Sequence, residues 1–396
     1  MPGPLHGIRV LDLSRVLAGP YAAMTLGDMG AEVIKVEQPG EGDETRAWGP
    51  PWAGGESAYY LSINRNKLGI TLNLKSAGGR RVLLELARRS DILIDNFRHG
   101  TLERMGLDDA TLWAVNPRLI HATISGFGPV GPYKDYPGYD FVIQAMAGIM
   151  SITGEPGGEP MKVGVAIVDV TAGLFTVNAV LAALHARERT GRGQRVEVSL
   201  LESALAWLVN VGQNYLVSGQ EPKRYGNAHP NIVPYQPFRA QDRPLALAVA
   251  NPRQFRRFCE LVGRPELADD PRFATNADRL AHREELVQEI QRLIEQRPAD
   301  EWLRLLNENG IPAGPINTVP QALADPQVQA LGVVRTLPHP TAGEIKVIGP
   351  PFHFSETAAE VRSAPPLLGQ HTEQVLRALL GMDDAQIAAL RAEGAI

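Results

Sequence analysis

The stretch IRVLDLSRVLAGPYAAMTLGDMGAEVIKVE, residues 8–37, decides the fold. It opens with a β-branched apolar segment at 8–13, passes through a loop ending in Gly19-Pro20 and a helical stretch, and closes with a second strand at 31–36. This order predicts a βαβ unit. The alternation continues with a helix over 79–89, a strand at 92–94, a helix after Gly100 and a strand at 119–124. We therefore expect an α/β protein with a Rossmann-like parallel sheet, which binds ligands at the carboxyl ends of its strands.

The amino-acid composition of the chain changes after Gly219. Residues 222–237 are rich in Gly, Pro, Asn and Tyr, and a strand at 245–249 precedes charged helices over 254–309. A strand at 345–350 and two amphipathic helices follow. We expect a large Rossmann-like domain over residues 1–215, a smaller α+β domain over 216–330, and a C-terminal segment, 331–396, that returns to the large domain.

Composition argues against several classes of protein. The net charge of −5 and the pI near 6.0 leave no basic surface for nucleic acid. The single cysteine, Cys259, and the absence of an H-x-x-x-H pair disfavour a disulfide framework and a metal site. We expect no leader in the few residues before the first strand and no apolar run long enough to span a membrane, and hence a cytoplasmic protein without a membrane partner.

The run Gly126-Phe127-Gly128-Pro129-Val130-Gly131 matches the G-x-G-x-x-G fingerprint of dinucleotide-binding proteins. Pro129 and Pro132 predict a loop here instead of a helix start, and no acidic residue stands about 20 positions further on, where Met150 falls. The loop after the first strand also lacks the fingerprint. A nicotinamide-dependent enzyme is therefore disfavoured.

Asp169 interrupts an otherwise apolar and small-residue run over 163–175. Apolar positions at helical spacing follow it and predict a helix over 172–189. One interpretation is that Asp169 caps this helix by accepting backbone N–H bonds. The other is a carboxylate nucleophile, kept ionised by the helix dipole and stripped of water by its apolar neighbours, that attacks an acyl carbon.

Short motifs recur along the whole chain, at 11–13, Gly19-Pro20, 32–37, Gly42-Asp43 with Arg46, 64–67, 95–97, 116–120, 138–140, Asp169, 190–194 and 367–372. Taken together, these segments make the chain resemble the class III CoA-transferases of the formyl-CoA transferase type, from Leu5 to Ile396. The segments 46–51, 226–229, 232–236 and 314–317 are similar to the succinate–hydroxymethylglutarate CoA-transferase group within that family.

The resemblance implies a role for each matching residue. Asp169 matches the nucleophile, and Tyr139 matches a residue beside the reacting acyl group that also contacts CoA. Gln38 stands where formyl-CoA transferases have an arginine that contacts CoA, and residues 248–252 stand where those enzymes have a run of glycines. Two further candidates for the far carboxylate of a dicarboxylate substrate are Arg46 and His229. The remaining CoA-binding positions are Leu17, Ala18, Leu72, Asn73, Lys75, Asn96, Phe97, Arg98, Arg104 and Gly138.

The activity that the resemblance implies is CoA transfer between a dicarboxyl-CoA and a free dicarboxylate, through an aspartyl–acyl anhydride and an aspartyl–CoA thioester. CoA enters as part of the substrate and no permanently bound cofactor is expected. The family's members are intertwined dimers in which each chain forms a ring threaded by the other, so we expect an interlocked homodimer.

Two other activities stay open at this point. An α-methylacyl-CoA racemase has the same fold and uses an aspartate at position 169 with a histidine at position 139 to move a proton. Tyr139 occupies that position here, which favours transfer. A non-catalytic CoA-binding protein is the second alternative, and it agrees with the capping interpretation of Asp169.

Overall fold

The computed structural model describes residues 2–396, which divide into two compact units. The first unit comprises the residues up to 149, residues 162–216 and residues 329–396, and the second comprises residues 150–161 and 217–328. The segment 150–161, which the sequence assigned to the large domain, lies in the second unit. There, Arg224 donates hydrogen bonds to the carbonyl oxygens of Ser151 (3.0 Å) and Gly158 (2.6 Å). The sequence could not reveal these contacts because they join positions some 70 residues apart.

The strands, in chain order, are Arg9–Asp12 (β1), Glu32–Glu37 (β2), Trp52–Ala53 (β3), Glu56–Ser57 (β4), Lys67–Thr71 (β5), Ile92–Asp95 (β6), Ile120–Ser125 (β7), Arg195–Ser199 (β8), Tyr235–Arg239 (β9), Pro244–Ala248 (β10), Ala313–Pro315 (β11), Val334–His339 (β12) and Gly343–Ile348 (β13).

The α-helices, in chain order, are Ala18–Asp28 (α1), Ala58–Ile63 (α2), Ala77–Ala87 (α3), Thr101–Arg104 (α4), Asp109–Val115 (α5), Asp140–Met146 (α6), Ile149–Ile152 (α7), Ile167–Thr190 (α8), Leu200–Ala206 (α9), Val209–Ser218 (α10), Pro252–Leu261 (α11), Asn276–Ala281 (α12), Arg283–Ile294 (α13), Ala299–Glu308 (α14), Val319–Ala324 (α15), Pro326–Ala330 (α16), Thr372–Leu380 (α17) and Asp384–Ala392 (α18). Short 3₁₀ helices cover Glu44–Ala47 and Pro265–Ala268.

A six-stranded parallel sheet forms the centre of the first unit. Its strand order is β5-β2-β1-β6-β7-β8, and every neighbouring pair is parallel. Counting only these six strands along the chain, the order is that of the doubly wound Rossmann arrangement, which reverses direction between β1 and β6. The α/β class and the parallel sheet expected from the sequence are confirmed. Because ligands bind where the order reverses, the loops after β1 and β6 are the first place to look for a site.

Apolar side chains cover both faces of this sheet. Along β1, Val10 belongs to the cluster on one face and Leu11 to the cluster on the other, as the two-residue period of a strand requires. The C-terminal helices join the second of these clusters: Val375 of α17 and Leu390 of α18 lie in the same core as Leu11. The C-terminal segment is thus part of the first unit.

The second unit has its own core around a three-stranded antiparallel sheet, ordered β11-β10-β9. Phe255 and Phe258 of α11 and Trp302 of α14 are buried in this core. Arg279, 1% exposed, donates to the carbonyl oxygens of Val233 and Phe273. This antiparallel sheet with helices of its own is an α+β arrangement.

Among residues 2–396, one helix is long and apolar enough, by length and composition, to cross a membrane: α8, Ile167–Thr190. The expectation that no apolar run would reach this length is wrong, because the helix begins five residues earlier than its sequence pattern indicated. Core helices pass the same test, and α8 packs against α1, with Val177, Val180 and Ala183 buried in the cluster on one face of the sheet.

Candidate functional site

Asp169 lies in the first turn of α8 and does not cap it. The helix begins at Ile167, so Asp169 is its third residue, and the N-cap position belongs to Ala166, which makes no side-chain cap. Within residues 2–396, no group donates a hydrogen bond to the Asp169 carboxylate. The capping interpretation of this residue is therefore wrong.

A second aspartate, Asp140, performs the capping instead. Its Oδ1 accepts the backbone N–H of Val168 (2.8 Å) and that of Asp169 (3.3 Å). Its Oδ2 accepts the side-chain amide of Gln144 (2.6 Å), whose own oxygen accepts the N–H of Val163 (2.9 Å). Asp140 belongs to the family segment 138–140, but the sequence did not indicate its role, because its partners lie about 28 residues further along the chain.

Burial and the neighbouring Asp140 charge raise the pKa of Asp169 to about 7. Both causes act in the same direction: loss of water disfavours the charged form, and so does a like charge nearby. A helix N-terminus ordinarily lowers the pKa of a carboxylic acid. Here the N–H groups of the first turn bond to Asp140, so Asp169 remains a basic carboxylate that has no hydrogen bond to give up before it reacts.

Close packing of α8 on α1 brings Asp169 beside the first turn of α1. A Cβ atom built on Gly173, one turn after Asp169, would lie 2.7 Å from the carbonyl oxygen of Ala18 and 3.2 Å from the ring of Tyr21. Only glycine fits so close a helix contact. Gly173 is thus a packing requirement of the site.

A cleft of about 270 Å³ in the first unit brings Asp169 together with many of the residues predicted to bind CoA. It opens at the carboxyl ends of β1, β6 and β7, where the strand order reverses. Its lining includes the predicted residues Leu17, Ala18, Asn96, Phe97, Arg98, Gly138, Tyr139 and Asp169, and the unpredicted residues Arg15, Val16, Glu44, His99, Ser125, Gly126 and Tyr136.

The Asn96 side chain joins the two main loops of this cleft. Its Oδ1 accepts the N–H of Arg15 (2.8 Å), and its Nδ2 donates to the carbonyl oxygen of the same residue (2.7 Å). One N–H group of Nδ2 and one lone pair of Oδ1 remain available, so the CoA contact of Asn96 stays a prediction. Val16, which follows Arg15 in the chain, has a φ of 68°. A β-branched residue in this region is strained, and such strain clusters at binding sites.

Close backbone contact explains Gly126, the first glycine of the G-x-G-x-x-G run, without dinucleotide binding. A Cβ atom on Gly126 would lie 2.8 Å from the Cα of Gly138, and one on Gly138 would lie 2.5 Å from the Cα of Gly126. The loop after β7 can thus touch the segment that leads to Tyr139. Both glycines line the cleft.

Tyr59 is a neighbour of Asp169 that the sequence did not reveal. Burial, then the charges of Asp169, Asp140 and Asp43, raise the pKa of Tyr59 to about 12. Its ring meets that of Trp48 edge to face, with centroids 5.2 Å apart. No local pattern marks this tyrosine, since its proximity to Asp169 depends on contacts between distant segments.

Five of the predicted CoA-binding residues lie outside the lining of this cleft. Leu72 is buried in the core. Asn73 holds the C-terminus, because its backbone N–H donates to Ala395 and its side chain to Gly394. Gln38, Lys75 and Arg104 are exposed, and no carboxylate pairs with either cation in the described part of the chain. Lys75 and Arg104 therefore remain available to phosphate groups.

Arg46 has a structural role in place of the predicted substrate contact. Its guanidinium makes a two-point ion pair with Glu37 (2.8 and 2.9 Å) and bonds to Glu56 (2.9 Å), to the hydroxyl of Tyr60 (2.6 Å) and to the carbonyl oxygen of Pro366 (3.0 Å). Its side chain is 11% exposed. One N–H group, on Nη1, has no partner among these contacts, but the carboxylates of Glu37 and Glu56 already balance the positive charge of Arg46.

His229 lies in the second unit with one ring nitrogen committed to the backbone. Its Nδ1 accepts the N–H of Asn231 (3.0 Å), and its ring lies 5.2 Å from that of Tyr235. This bond fixes the tautomer that carries a proton on Nε2. Partial burial and the Arg283 charge lower the pKa of His229, so the ring is neutral at neutral pH. It can offer one N–H donor without a net charge.

The described residues, 2–396, contain no group of three or more His, Cys, Asp or Glu side chains that could hold a metal ion. The thiol of Cys259 is buried in the second unit, and burial raises its pKa to about 12, so it is not a reactive thiolate.

Comparison with known proteins identifies the family. The model of CoA-transferase family III matches residues 5–372. A succinate–glutarate CoA-transferase from Agrobacterium fabrum is 46% identical over 382 residues, which cover 95% of this chain and 96% of that protein. Succinyl-CoA:glutarate CoA-transferase from Homo sapiens is 42% identical over 393 residues, covering 99% of this chain and 90% of that protein.

A solved structure agrees with this result. The crystal structure of a CAIB/BAIF family protein from Brucella suis is 43% identical and has a TM-score of 0.84, covering 96% of this chain and 100% of that one. The resemblance found in the sequence is thereby confirmed, and the chain belongs to CoA-transferase family III.

Proposed function

We propose that this enzyme moves CoA from a dicarboxyl-CoA, such as succinyl-CoA, to a free dicarboxylate, such as glutarate, with Asp169 as the nucleophile. The observation that carries the proposal is the state of Asp169: a carboxylate without a hydrogen-bond donor, with a pKa raised to about 7, in a cleft at the carboxyl ends of the strands. Relatives named as succinate–glutarate CoA-transferases support the choice of acids.

The first half-reaction releases the donor acid. The ionised Asp169 attacks the carbonyl carbon of the donor thioester, the C–S bond breaks, and CoA leaves as the thiolate. The product is a mixed anhydride between Asp169 and the donor acid. The thiolate then attacks the aspartyl carbonyl carbon, the C–O bond to the donor breaks, and the donor leaves as a carboxylate while CoA remains attached to Asp169 as a thioester.

The second half-reaction reverses these steps with the acceptor. The acceptor carboxylate attacks the aspartyl thioester and expels the thiolate, which forms a second anhydride. The thiolate then attacks the acceptor's acyl carbon and frees the Asp169 carboxylate. No water or net proton is consumed, so the site must exclude water from the labile anhydrides.

Three cations of the first unit support the binding of a phosphate-bearing substrate. Arg98 lines the cleft, and Lys75 and Arg104 are exposed without carboxylate partners among the described residues. The guanidinium and ammonium groups of such residues bind phosphate oxygens. We infer that these three residues hold the phosphates of CoA, while the loops at 15–18 and 96–98 contact the rest of the molecule.

Replacing the nucleophile tests the proposal directly. We expect Asp169→Asn to lower the rate of exchange between succinyl-CoA and glutarate by at least about 10³-fold, since the amide cannot form the anhydride. The measurement is the appearance of glutaryl-CoA by mass spectrometry, with the Asp325→Asn variant of a half-buried aspartate outside the cleft as control. Exchange at the wild-type rate in Asp169→Asn would overturn the assignment, and uptake of α-deuterium into a branched acyl-CoA would indicate a racemase.

The negative charge of Asp140 should determine the pH below which kcat/KM falls, because it raises the pKa of Asp169. Transfer requires ionised Asp169, so kcat/KM of the wild-type enzyme should fall as the pH drops through about 7. Asp140→Asn keeps an oxygen for the N–H groups of α8 and removes the charge, so we expect the limb to move down by about one pH unit. A limb that stays in place would show that Asp140 does not raise the pKa of Asp169.

We also propose that His229 binds the far carboxylate of the dicarboxylate. Its neutral ring has Nδ1 occupied by the backbone and Nε2–H free to donate, which suits a carboxylate oxygen. Arg46 is not a candidate for this role, because the carboxylates of Glu37 and Glu56 already bind it.

Substituting His229 should affect dicarboxylates alone. We expect His229→Ala to raise KM for glutarate about 10- to 100-fold, the value of a hydrogen bond to a charged group. His229→Gln, whose amide can replace Nε2–H, should recover part of this loss. A monocarboxylate of equal length, valerate, has no far carboxylate and serves as the control; an equal rise in KM for both acids would contradict the assignment.

An exposed apolar groove supports a dimer. The groove has a volume of about 890 Å³ in the first unit, and its lining includes Trp52, Val165, Leu174 and Ile348, all exposed. Exposed apolar surface of this extent marks protein–protein contacts. We propose that a second copy of the chain covers it in the interlocked homodimer implied by the family; a particle mass in solution equal to one chain, 43.0 kDa, would contradict this.

A further inference from the structure

A buried ion cluster lies directly beneath the loop that carries Phe97 and Arg98. Its centre is His121 on β7, whose side chain is 2% exposed. The ring lies between two carboxylates: Nδ1 is 2.6 Å from Oδ1 of Asp109, and Nε2 is 2.8 Å from Oδ2 of Asp95. The mechanism proposed above uses none of these three side chains.

The geometry requires a charged ring. A neutral imidazole has one N–H group, so one of its nitrogens would present a lone pair to a carboxylate. An imidazolium donates to both. Burial acts to lower the pKa of His121, and the hydrogen bonds and charges of Asp109 and Asp95 outweigh it, raising the pKa to about 9. The ring is therefore protonated at neutral pH.

Asp95 connects this ring to the CoA cleft. It is the last residue of β6, and while its Oδ2 accepts His121 and the hydroxyl of Thr123 (2.9 Å), its Oδ1 accepts the backbone N–H of Phe97 (3.0 Å). This bond fixes the turn of the loop 96–98. The side chain of Asn96 joins that loop to the backbone of Arg15. A shift of the Asp95 carboxylate would therefore move both loops of the cleft.

If His121 loses its proton, few positive charges remain nearby to balance the carboxylates around it. Asp109 also pairs with Arg195 (2.9 Å), which in turn pairs with Glu197 (2.6 Å). With His121 protonated, two cations face the three carboxylates of Asp95, Asp109 and Glu197, and with it neutral, one does. The other titratable groups that line the small adjoining cavity are Arg98, His99, Glu103 and Asp108.

We propose that His121, held as an imidazolium between Asp95 and Asp109, is a positioning residue that fixes the loop 96–98 for binding CoA. The inference rests on the proposed function and deepens it. When His121 loses its proton, one of its two carboxylate contacts becomes repulsive. Asp95 then either loses its bond to the ring or keeps one from a neutral donor, which is weaker than a bond from the imidazolium, so the N–H of Phe97 is held less firmly. CoA affinity thus depends on a proton that takes no part in the transfer.

The test measures binding of desulfo-CoA, which has no thiol to titrate or react, by calorimetry between pH 7.5 and 10. For the wild type we expect a constant affinity at the lower pH values of this range and a fall of about tenfold as the pH rises through about 9. His121→Gln should bind about tenfold more weakly at pH 7.5, with no such limb. The exposed His185 on α8 provides the matched control, because His185→Gln should retain the wild-type curve.

Asp109→Asn gives a second, milder variant in which the ring keeps its bond to Asp95. Loss of one carboxylate lowers the pKa of His121, so the falling limb should move to lower pH. In steady-state assays over a range of succinyl-CoA concentrations, KM for the thioester should change more than kcat in both variants. A purely structural role would lower the unfolding temperature and leave the limb in place.

Three results would overturn the inference. An affinity of His121→Gln equal to that of the wild type would remove the positioning role, and so would a limb unmoved in Asp109→Asn. Failure of the wild type itself to bind desulfo-CoA would overturn the proposed function as well. Binding by the wild type with unaffected variants would leave that function standing and refute the positioning role alone.

Discussion

The hydrogen bonds from the start of α8 to Asp140 are the interaction on which the site depends. They satisfy the backbone N–H groups of Val168 and Asp169 with a carboxylate other than the reacting one. Asp169 consequently sits at a helix N-terminus without gaining its hydrogen bonds, and it experiences a like charge and partial burial. These conditions are unfavourable for a carboxylate at rest, and they are suitable for one that must attack a thioester.

The rest of the cleft is organised by the sheet. The strand order reverses between β1 and β6, so the loops after these strands diverge and leave a crevice. Asn96 closes that crevice at one end by bonding to the backbone of Arg15, and Gly173 lets α8 approach the first turn of α1. Asp169 and the loops proposed to bind CoA thus depend on contacts between segments that lie far apart in the chain.

The sequence predicted the parallel sheet and the family because those signals are local: strand and helix periods, and short motifs of fixed spacing. It also identified Asp169, since a carboxylate in an apolar run is conspicuous. It assigned Arg46 to the substrate, while Glu37, Glu56 and Pro366 in fact bind that side chain. No spacing rule links position 46 to position 366.

The same limit explains the residues that the sequence analysis missed. Asp140, His121 and Tyr59 act through partners on other elements, and nothing in their neighbouring residues shows whether a given aspartate or histidine is buried. The helix boundary mattered as well. With α8 starting at Ile167 instead of Ala172, Asp169 moves from a capping position into the first turn, and the choice between cap and nucleophile changes with it.

The most direct test of the account follows an oxygen atom. If Asp169 carries the CoA, one carboxylate oxygen of the acceptor must remain on Asp169 at the end of each turnover. Wild-type protein turned over with succinyl-CoA and ¹⁸O-labelled glutarate should therefore contain ¹⁸O in the peptide that includes Asp169, detected by mass spectrometry after digestion. Glutaryl-CoA formation with an unlabelled peptide would contradict covalent transfer through this residue.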